Sequence, residues 1–276
     1  MPAQVIQSNS TPFQDVTVDP VTLDIIENAL RNARSEMDAV LFRTAMSPGI
    51  REQHDAFPMI ANHEGKMVVG QFGSFFWGFQ QGYDGTIEEG DVFLTNDPYT
   101  CNGAISHLND WLMMMPIYID GRLVSWAAMF GHMTDIGGKV PGSLPTDAAQ
   151  VFEEGIQIPP VKIIRKGELN TEILELILRN CRLPDWNRSD FNAIVAALRL
   201  AERRVLEMAN RFGVEELVAA MVEMLDRNKR AMGAILNMVV PENKQFFEDY
   251  IDDDGMGMGP YLSLIHISEP TSRYAI

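Results

Sequence analysis

The sequence predicts an α+β fold of mixed antiparallel β-hairpins forming a sheet, accompanied by long amphipathic helices. Three observations predict it. Asp120-Gly121 sits between two apolar, β-prone runs, residues 111–119 and 122–130, the strongest short-range signal for a hairpin. Asn62-His63-Glu64-Gly65 gives a second turn signal between residues 57–60 and 66–69. Two long stretches of helical apolar period, 191–211 and 214–236, then follow without the strand–helix alternation that a parallel sheet requires.

Taken in order, residues 1–18 read as a flexible lead-in. Asp19-Pro20 opens a helix, with Asp as N-cap and Pro at the first helical position. Val21, Ile25, Ala29, Ala33, Met37, Val40 and Leu41 hold the helical period to about Ala45, and Ser47-Pro48-Gly49 stops it. Residues 70–83, rich in glycine and aromatics, read as a packed loop. Residues 91–95 form a short strand that delivers Asn96-Asp97-Pro98-Tyr99, ahead of the Asp120-Gly121 hairpin and a Gly/Pro loop over 137–145. A mixed stretch, 148–180, ends in a helix over 171–179, and Gly213 separates the two long helices. Near the C-terminus, Asp252-Asp253-Asp254-Gly255 reads as a turn that a returning strand should follow. From Leu262 the chain resembles the translation of a sequencing adapter, so residues 262–276 are expected to be non-native and His266 carries no functional weight.

A formal net charge of −16 disfavours nucleic acid and anionic membrane surfaces as partners, since both need a basic footprint. No apolar run approaches the ~18 residues of a membrane span, and residues 1–18 lack a signal pattern. Two cysteines, Cys101 and Cys181, make no disulfide framework, so a cytoplasmic location is expected. There is no P-loop and no GxGxxG after a strand, which argues against ATP or dinucleotide binding by those routes.

The chemistry concentrates in two His-x-x-Asp segments, His107-Leu108-Asn109-Asp110 and His132-Met133-Thr134-Asp135. In a tight hairpin closed at Asp120-Gly121, Ile119 faces Arg122, and counting outward sets His132 opposite Asn109. Both pairs then meet at one hairpin end as a mixed nitrogen and oxygen donor set, suited to Zn, Mn or Fe rather than Mg or Ca. The plainer alternative is two strand-end histidines bonded to nearby backbone. Asp97 is favoured as a turn former, with metal ligation as its minor role. Cys101 has no base at a recognisable spacing and reads as a bystander thiol. Arg51-Glu52-Gln53-His54-Asp55 is either a solvated loop or the lip of an active site. Met113-Met114-Met115 reads as core, and Arg179-Asn180-Cys181-Arg182 as an anion site or a loop buttress.

Longer motifs carry a family resemblance. They are Asp19-Pro-Val-Thr-Leu-Asp-Ile-Ile-Glu-Asn28, Gly90-Asp-Val-Phe-Leu-Thr-Asn-Asp-Pro-Tyr99, the segment from His107 to Asp110, and Gly131-His-Met-Thr-Asp-Ile-Gly-Gly138. Pro141-Gly-Ser143, Phe152-Glu-Glu-Gly-Ile-Gln-Ile-Pro-Pro160, Asn180-Cys-Arg-Leu-Pro184 and Asp190 continue the series. In this order they resemble the N-terminal half of the hydantoinase B/5-oxoprolinase family, which includes B-type subunits of N-methylhydantoinases and related subunits of acetone and acetophenone carboxylases. The resemblance implies that residues 19–261 are the N-terminal part of such a domain, truncated before a C-terminal β-rich part. It implies an enzyme subunit acting on a small molecule beside an A-type partner, the partner binding ATP and phosphorylating the substrate. It assigns His107, His132 and Asp135 as metal ligands, Asp110 as fourth ligand or catalytic carboxylate, and Asp97 as a weaker catalytic candidate.

Ring hydrolysis of a hydantoin or 5-oxoproline is the leading expectation. A ketone carboxylase subunit is the first alternative, and a non-catalytic scaffold for the A-type partner the second. The link Thr100-Cys-Asn-Gly-Ala-Ile-Ser106 is longer than the family's Gly-Gly-Thr type, and Leu-Asn-Asp replaces Leu-Pro-Asp. Phe75-Phe76-Trp77 suggests an aromatic-lined pocket for an apolar substrate.

Overall fold

The computed structural model describes residues 13–14, 16–71, 74–241, 246, 250–251 and 261–262. The elements in chain order are α1 (Pro20–Thr44), α2 (Pro48–Arg51), β1 (Ala56–Asn62), β2 (Met67–Val69), α3 (Ser74–Gly82), β3 (Val92–Thr95), β4 (Asp110–Ile119) and β5 (Arg122–His132). There follow β6 (Val161–Arg165), β7 (Glu168–Leu169), α4 (Thr171–Arg179), α5 (Pro184–Phe212), α6 (Val214–Val239), β8 (Tyr250–Ile251) and β9 (Tyr261–Leu262). Two compact units are present: Met1–Pro145 with Gln150–Leu225, and Thr146–Ala149 with Asp226–Ile276.

The first unit is built on a seven-stranded antiparallel sheet of order β2-β1-β5-β4-β3-β6-β7. Alternation along the central strands serves two cores. Trp111, Met113, Met115 and Ile117 of β4 face the side carrying α1 and α5, while Leu112 and Met114 face Phe75, Phe76 and Phe79 of α3. The three consecutive methionines are therefore core on both faces, as expected.

The opening helix starts where Asp19 predicts. Its carboxylate accepts the Val21 and Thr22 amides at 3.0 and 3.1 Å, which satisfies two of the free donors of a helix start. The buried stripe, however, is Leu23, Ile26, Leu30, Ala33, Met37 and Leu41. Val21 and Ile25, expected inside, are exposed. The first turns carry apolar residues on two faces, and the face with the larger continuous stripe takes the core.

Residues 74–82 are helical, not the packed loop expected from their glycines. Phe75, Phe76 and Phe79 share one helical face against Phe93 and Trp126. Gly78 is present for clearance: a Cβ there would penetrate the Cys101 carbonyl and the Ala104 side chain. Helix α5 begins at Pro184, earlier than expected, because Asn187 and Asp190 are polar yet fully buried and bonded to neighbouring backbone. The lysine-glycine turn Lys166-Gly167 closes a further hairpin, β6–β7, inside the stretch expected to be mixed.

The hairpin register departs by one residue from the turn-based count. Ile119 pairs with Arg122 and Tyr118 with Leu123, but Ile117 pairs with Ser125. Val124 is the extra residue of a β-bulge, so His132 lies opposite Asp110 rather than Asn109.

In the second unit, β8 and β9 pair antiparallel, Tyr250 with Leu262 and Ile251 with Tyr261. The turn expected at residues 252–255 lies outside the described residues. Of the tail expected over 262–276, only Leu262 lies among the described residues.

A Gly78→Ala substitution tests the helix–loop contact. In an open helix it would stabilise by about 1 kcal/mol. Here the clash should reverse the sign and cost about 1–3 kcal/mol, read as a lower urea midpoint at constant slope.

Candidate metal centre

The donor set forms where β4 begins and β5 ends. Asp110 is the first residue of β4 and His132 the last of β5, and the bulge makes them direct cross-strand partners. Asp110 follows Leu112 and Met114 by parity, and His132 follows Phe130 and Ala128, so both belong to the α3 face. His107 enters from the segment ahead of β4, where its carbonyl accepts the Asp110 amide in a turn.

Their side chains converge. His132 Nδ1 is 3.0 Å from Asp110 Oδ1 and 3.2 Å from His107 Nε2, and His107 Nδ1 is 3.5 Å from Asp110 Oδ2. One donor atom from each residue falls within 4.8 Å of the others. The Ser106 hydroxyl, 3.0 Å from His107 Nδ1, helps hold that ring with Nε2 toward the centre. His107 is 32% exposed, against 14% for Asp110 and 16% for His132, which leaves one open approach.

The arrangement suits a shared cation. A neutral His132 Nδ1 presents either a proton or a lone pair. As a donor it satisfies Asp110 but can share with His107 only if Nε2 there offers a lone pair; as an acceptor it opposes the carboxylate. A divalent ion held among all three would take the place of the shared proton, and two imidazoles with one carboxylate suit Zn, Mn or Fe. Burial pushes the His132 imidazole down, but its hydrogen bond to Asp110 and the charges of Asp110 and Asp55 outweigh this and hold it above the ordinary value.

Asp55 lies at the edge of this group, against His132. Its carboxylate Oδ2 is 3.6 Å from His132 Nδ1, and its carbonyl accepts the His132 amide at 3.1 Å. Residues 51–54 are exposed, as a solvated loop would be, and only Asp55 of this stretch turns toward His132. The signal missed in the sequence was the pairing of β1 with β5, which sets Ala56 against Gly131. The preceding His54 takes φ 58° and stacks on Phe42 at 4.0 Å.

Asp135 is not brought to the centre. The chain leaves the strand after His132, so the i+3 spacing that would share a face on a helix does not do so here. Its carboxylate instead accepts the Gly137 and Gly142 amides at 2.9 Å each and pairs with Arg182 Nη1 at 2.9 Å. Burial raises this carboxyl, and the Gly142, Gly137 and Arg182 donors more than offset that, leaving it below the usual range. Arg182 also donates to the carbonyls of Val140 and Gly138, so the Arg179–Arg182 stretch acts as a buttress. Gly137, at φ 90°, passes so close to the Asn180 carbonyl that no Cβ fits.

Asp97 takes the turn role. It accepts from Tyr99 N at 2.9 Å, from Gln157 Nε2 at 2.7 Å and from the Thr100 hydroxyl. Cys101 is fully buried beside Thr95, and burial pushes its thiol up, away from nucleophilic reactivity. Asn96, unremarked in the sequence beyond its turn motif, is a structural tie. Its amide donates to Leu108 O and Ile156 O at 2.7 and 2.9 Å, and its carbonyl accepts from Ile158 N at 2.6 Å. It thereby anchors the segment that carries His107.

Against this geometry the relatives can be set. The chain matches the hydantoinase B/oxoprolinase family over residues 19–269. It belongs to that family. It is 34% identical over 252 residues to the caprolactamase subunit beta of Pseudomonas jessenii, covering 88% of this chain and 43% of that protein. To the 5-oxoprolinase of Dictyostelium discoideum it is 27% identical, over 86% of this chain and 20% of that protein. The crystal structure of the ATP-dependent caprolactamase from Pseudomonas jessenii superposes with a TM-score of 0.75 at 32% identity, covering 85% of this chain and 42% of that one. A nucleotide-free acetone carboxylase shares the fold, with a TM-score of 0.74 at 18% identity over 82% of this chain and 31% of that one. The chain thus spans less than half the length of these relatives. Membership confirms the resemblance carried by the motifs, and the sheet-and-helix architecture confirms the α+β expectation.

Two substitutions separate the roles assigned above. His132→Ala should abolish stoichiometric binding of a divalent ion, measured by elemental analysis of the purified protein. Asp135→Asn should keep the ion while losing about 1–3 kcal/mol of stability. Because the folded Asp135 carboxyl is depressed, its stabilisation is present above the unfolded value near 3.8 and fades as pH falls through the lower folded value. Wild type and Asp135→Asn should therefore converge in melting temperature as acid is added.

Proposed function

We propose that this chain is part of a metal-dependent B-type subunit of an ATP-dependent cyclic amide hydrolase, working with an A-type subunit that binds ATP. The observation that carries the reading is the convergence of His107, Asp110 and His132 at one hairpin end, in a chain 34% identical to a caprolactamase beta subunit. These three residues would hold the ion, with the Asp55 carboxylate at the edge of the set, 3.6 Å from His132 Nδ1. A divalent ion there supplies Lewis acidity toward a carbonyl oxygen.

The chain's own groups do the rest of the local work. Ser106 and Asp110 orient the two imidazoles, and the aromatic face behind Phe130 limits water access from the core side. Asp110 remains the catalytic carboxylate candidate. Asp97 and Asp135 are assigned to holding loops, since their oxygens are occupied by N–H and O–H donors. None of the described helices is long and apolar enough to cross a membrane, and a cytoplasmic location is part of the proposal.

A second reading, a subunit of a ketone carboxylase, is favoured by one observation: 26% identity over 181 residues to the acetophenone carboxylase delta subunit of Aromatoleum aromaticum. Assembled with its A-type partner, the full-length protein should couple ATP cleavage to ring opening of a cyclic amide. Chelation should stop it and re-addition of Zn, Mn or Fe should restore it. Product formation from a ketone that requires bicarbonate would replace the hydrolase reading with the carboxylase one. Turnover unaffected by His132→Ala would make this chain a scaffold.

A further inference from the structure

Helix α6 changes character along its length. Its first half has one buried stripe, with Leu217, Val218, Met221 and Met224 in the core shared with α1 and α5. Leu225 is the last residue of the helix that either core takes in. Asp226-Arg227-Asn228-Lys229-Arg230 is then polar on every side, and the first compact unit ends just before it. From Ala231 the sequence runs Ala-Met-Gly-Ala-Ile-Leu-Asn-Met-Val-Val240, with Asn237 as its single polar side chain. Met232, Ile235, Met238 and Val239 are each at least half exposed, Met238 to 85%.

A helix lying on one core shows an apolar arc of about 100°. Around the end of α6, Met238, Ile235, Val239, Met232 and Leu236 follow one another over about 160° at 3.6 residues per turn. A second copy of α6 would cover the arc from Ile235 to Leu236 and leave Met238 in water. A turn that is polar all round, followed by a stretch that is apolar all round, is the pattern of a helix that bridges solvent and enters a second apolar body.

The relatives supply that body. This chain covers 43% of the caprolactamase subunit beta and 42% of the caprolactamase crystal chain, so more than half of each lies outside the matched stretch. The motifs are those of the N-terminal half of the family. We infer that residues 231–240 are a docking surface for the remaining, C-terminal part of a B-type domain, which encloses the end of α6 in a core of its own. The inference rests on family membership and is independent of the metal and amidase readings.

Methionine oxidation by dilute peroxide tests it, because a buried thioether reacts slowly. The 276-residue chain and the full-length protein are compared by peptide mass spectrometry, each rate divided by that of the same methionine in the urea-unfolded chain. In the shorter chain Met232 and Met238 should react within about 3-fold of the unfolded rate, and in the full-length protein at least about 10-fold more slowly than in the shorter one. The fully buried Met113, Met114 and Met115 should be protected in both. Ile235→Lys should leave the melting temperature of the shorter chain unchanged and lower that of the full-length protein, where a charge would enter a core. Protection of Met232 and Met238 in a dimer of the shorter chain, lost with Ile235→Lys, overturns the inference in favour of a second copy. Protection that appears only when the A-type partner is added overturns it in favour of that subunit. Fast oxidation in every state overturns docking at this surface altogether.

Discussion

The pairing of β4 with β5 is the constraint on which the rest of the first unit depends. These are the two longest strands, they occupy the middle of the sheet, and each has both faces buried. A shift of one residue between them would move every side chain of one strand to the other core. The bulge at Val124 settles that register: beyond it, Trp126, Ala128 and Phe130 face α3 while Ala127 and Met129 face α1 and α5. The same adjustment that matches two cores also places Asp110 beside His132. Core packing and the donor set are consequences of a single register.

Buried polar ties carry this order into the loops. Asp190 of α5 accepts the Met46 and Ser47 amides, and the Ser47 hydroxyl accepts the Thr134 amide. Asn187 donates to the Asp135 carbonyl at 2.8 Å. Helix α5 thus grips both the segment leading to Asp55 and the segment leaving His132. Asp135 and Arg182 complete the grip, with the carboxylate saturated by donors. Such groups are costly to bury unless satisfied, and satisfied they specify one loop arrangement. Asp135, a ligand candidate by spacing, is thereby a support of the loop beyond His132.

Much of this architecture was legible along the chain. The N-cap at Asp19, the helix over 171–179, the two long helices and two of the hairpin turns follow from capping, helical period and turn chemistry, all properties of neighbouring residues. What misled was also local. The glycines of 70–83 suggested a loop because a glycine that serves close approach and one that serves a turn look alike in sequence. The first turn of α1 offered two apolar faces, and only the partner surface selects one. Counting outward from the hairpin turn set both His-x-x-Asp pairs at one hairpin end, though only the first brings its carboxylate to the histidines.

The sequence by itself determined the family, the hairpin, and the presence of two histidines with nearby carboxylates at one end of it, because motifs and turn signals are written in short, contiguous stretches. Tertiary structure decided which carboxylates complete the set. Asp55 comes to the edge of the set because β1 pairs with β5, Asp135 lies outside it because Arg182 and two glycine amides hold it, and Asp110 faces His132 because Val124 bulges. Each of these depends on contacts between segments distant in the chain, whose outcome is set by packing two cores at once rather than by spacing along one strand.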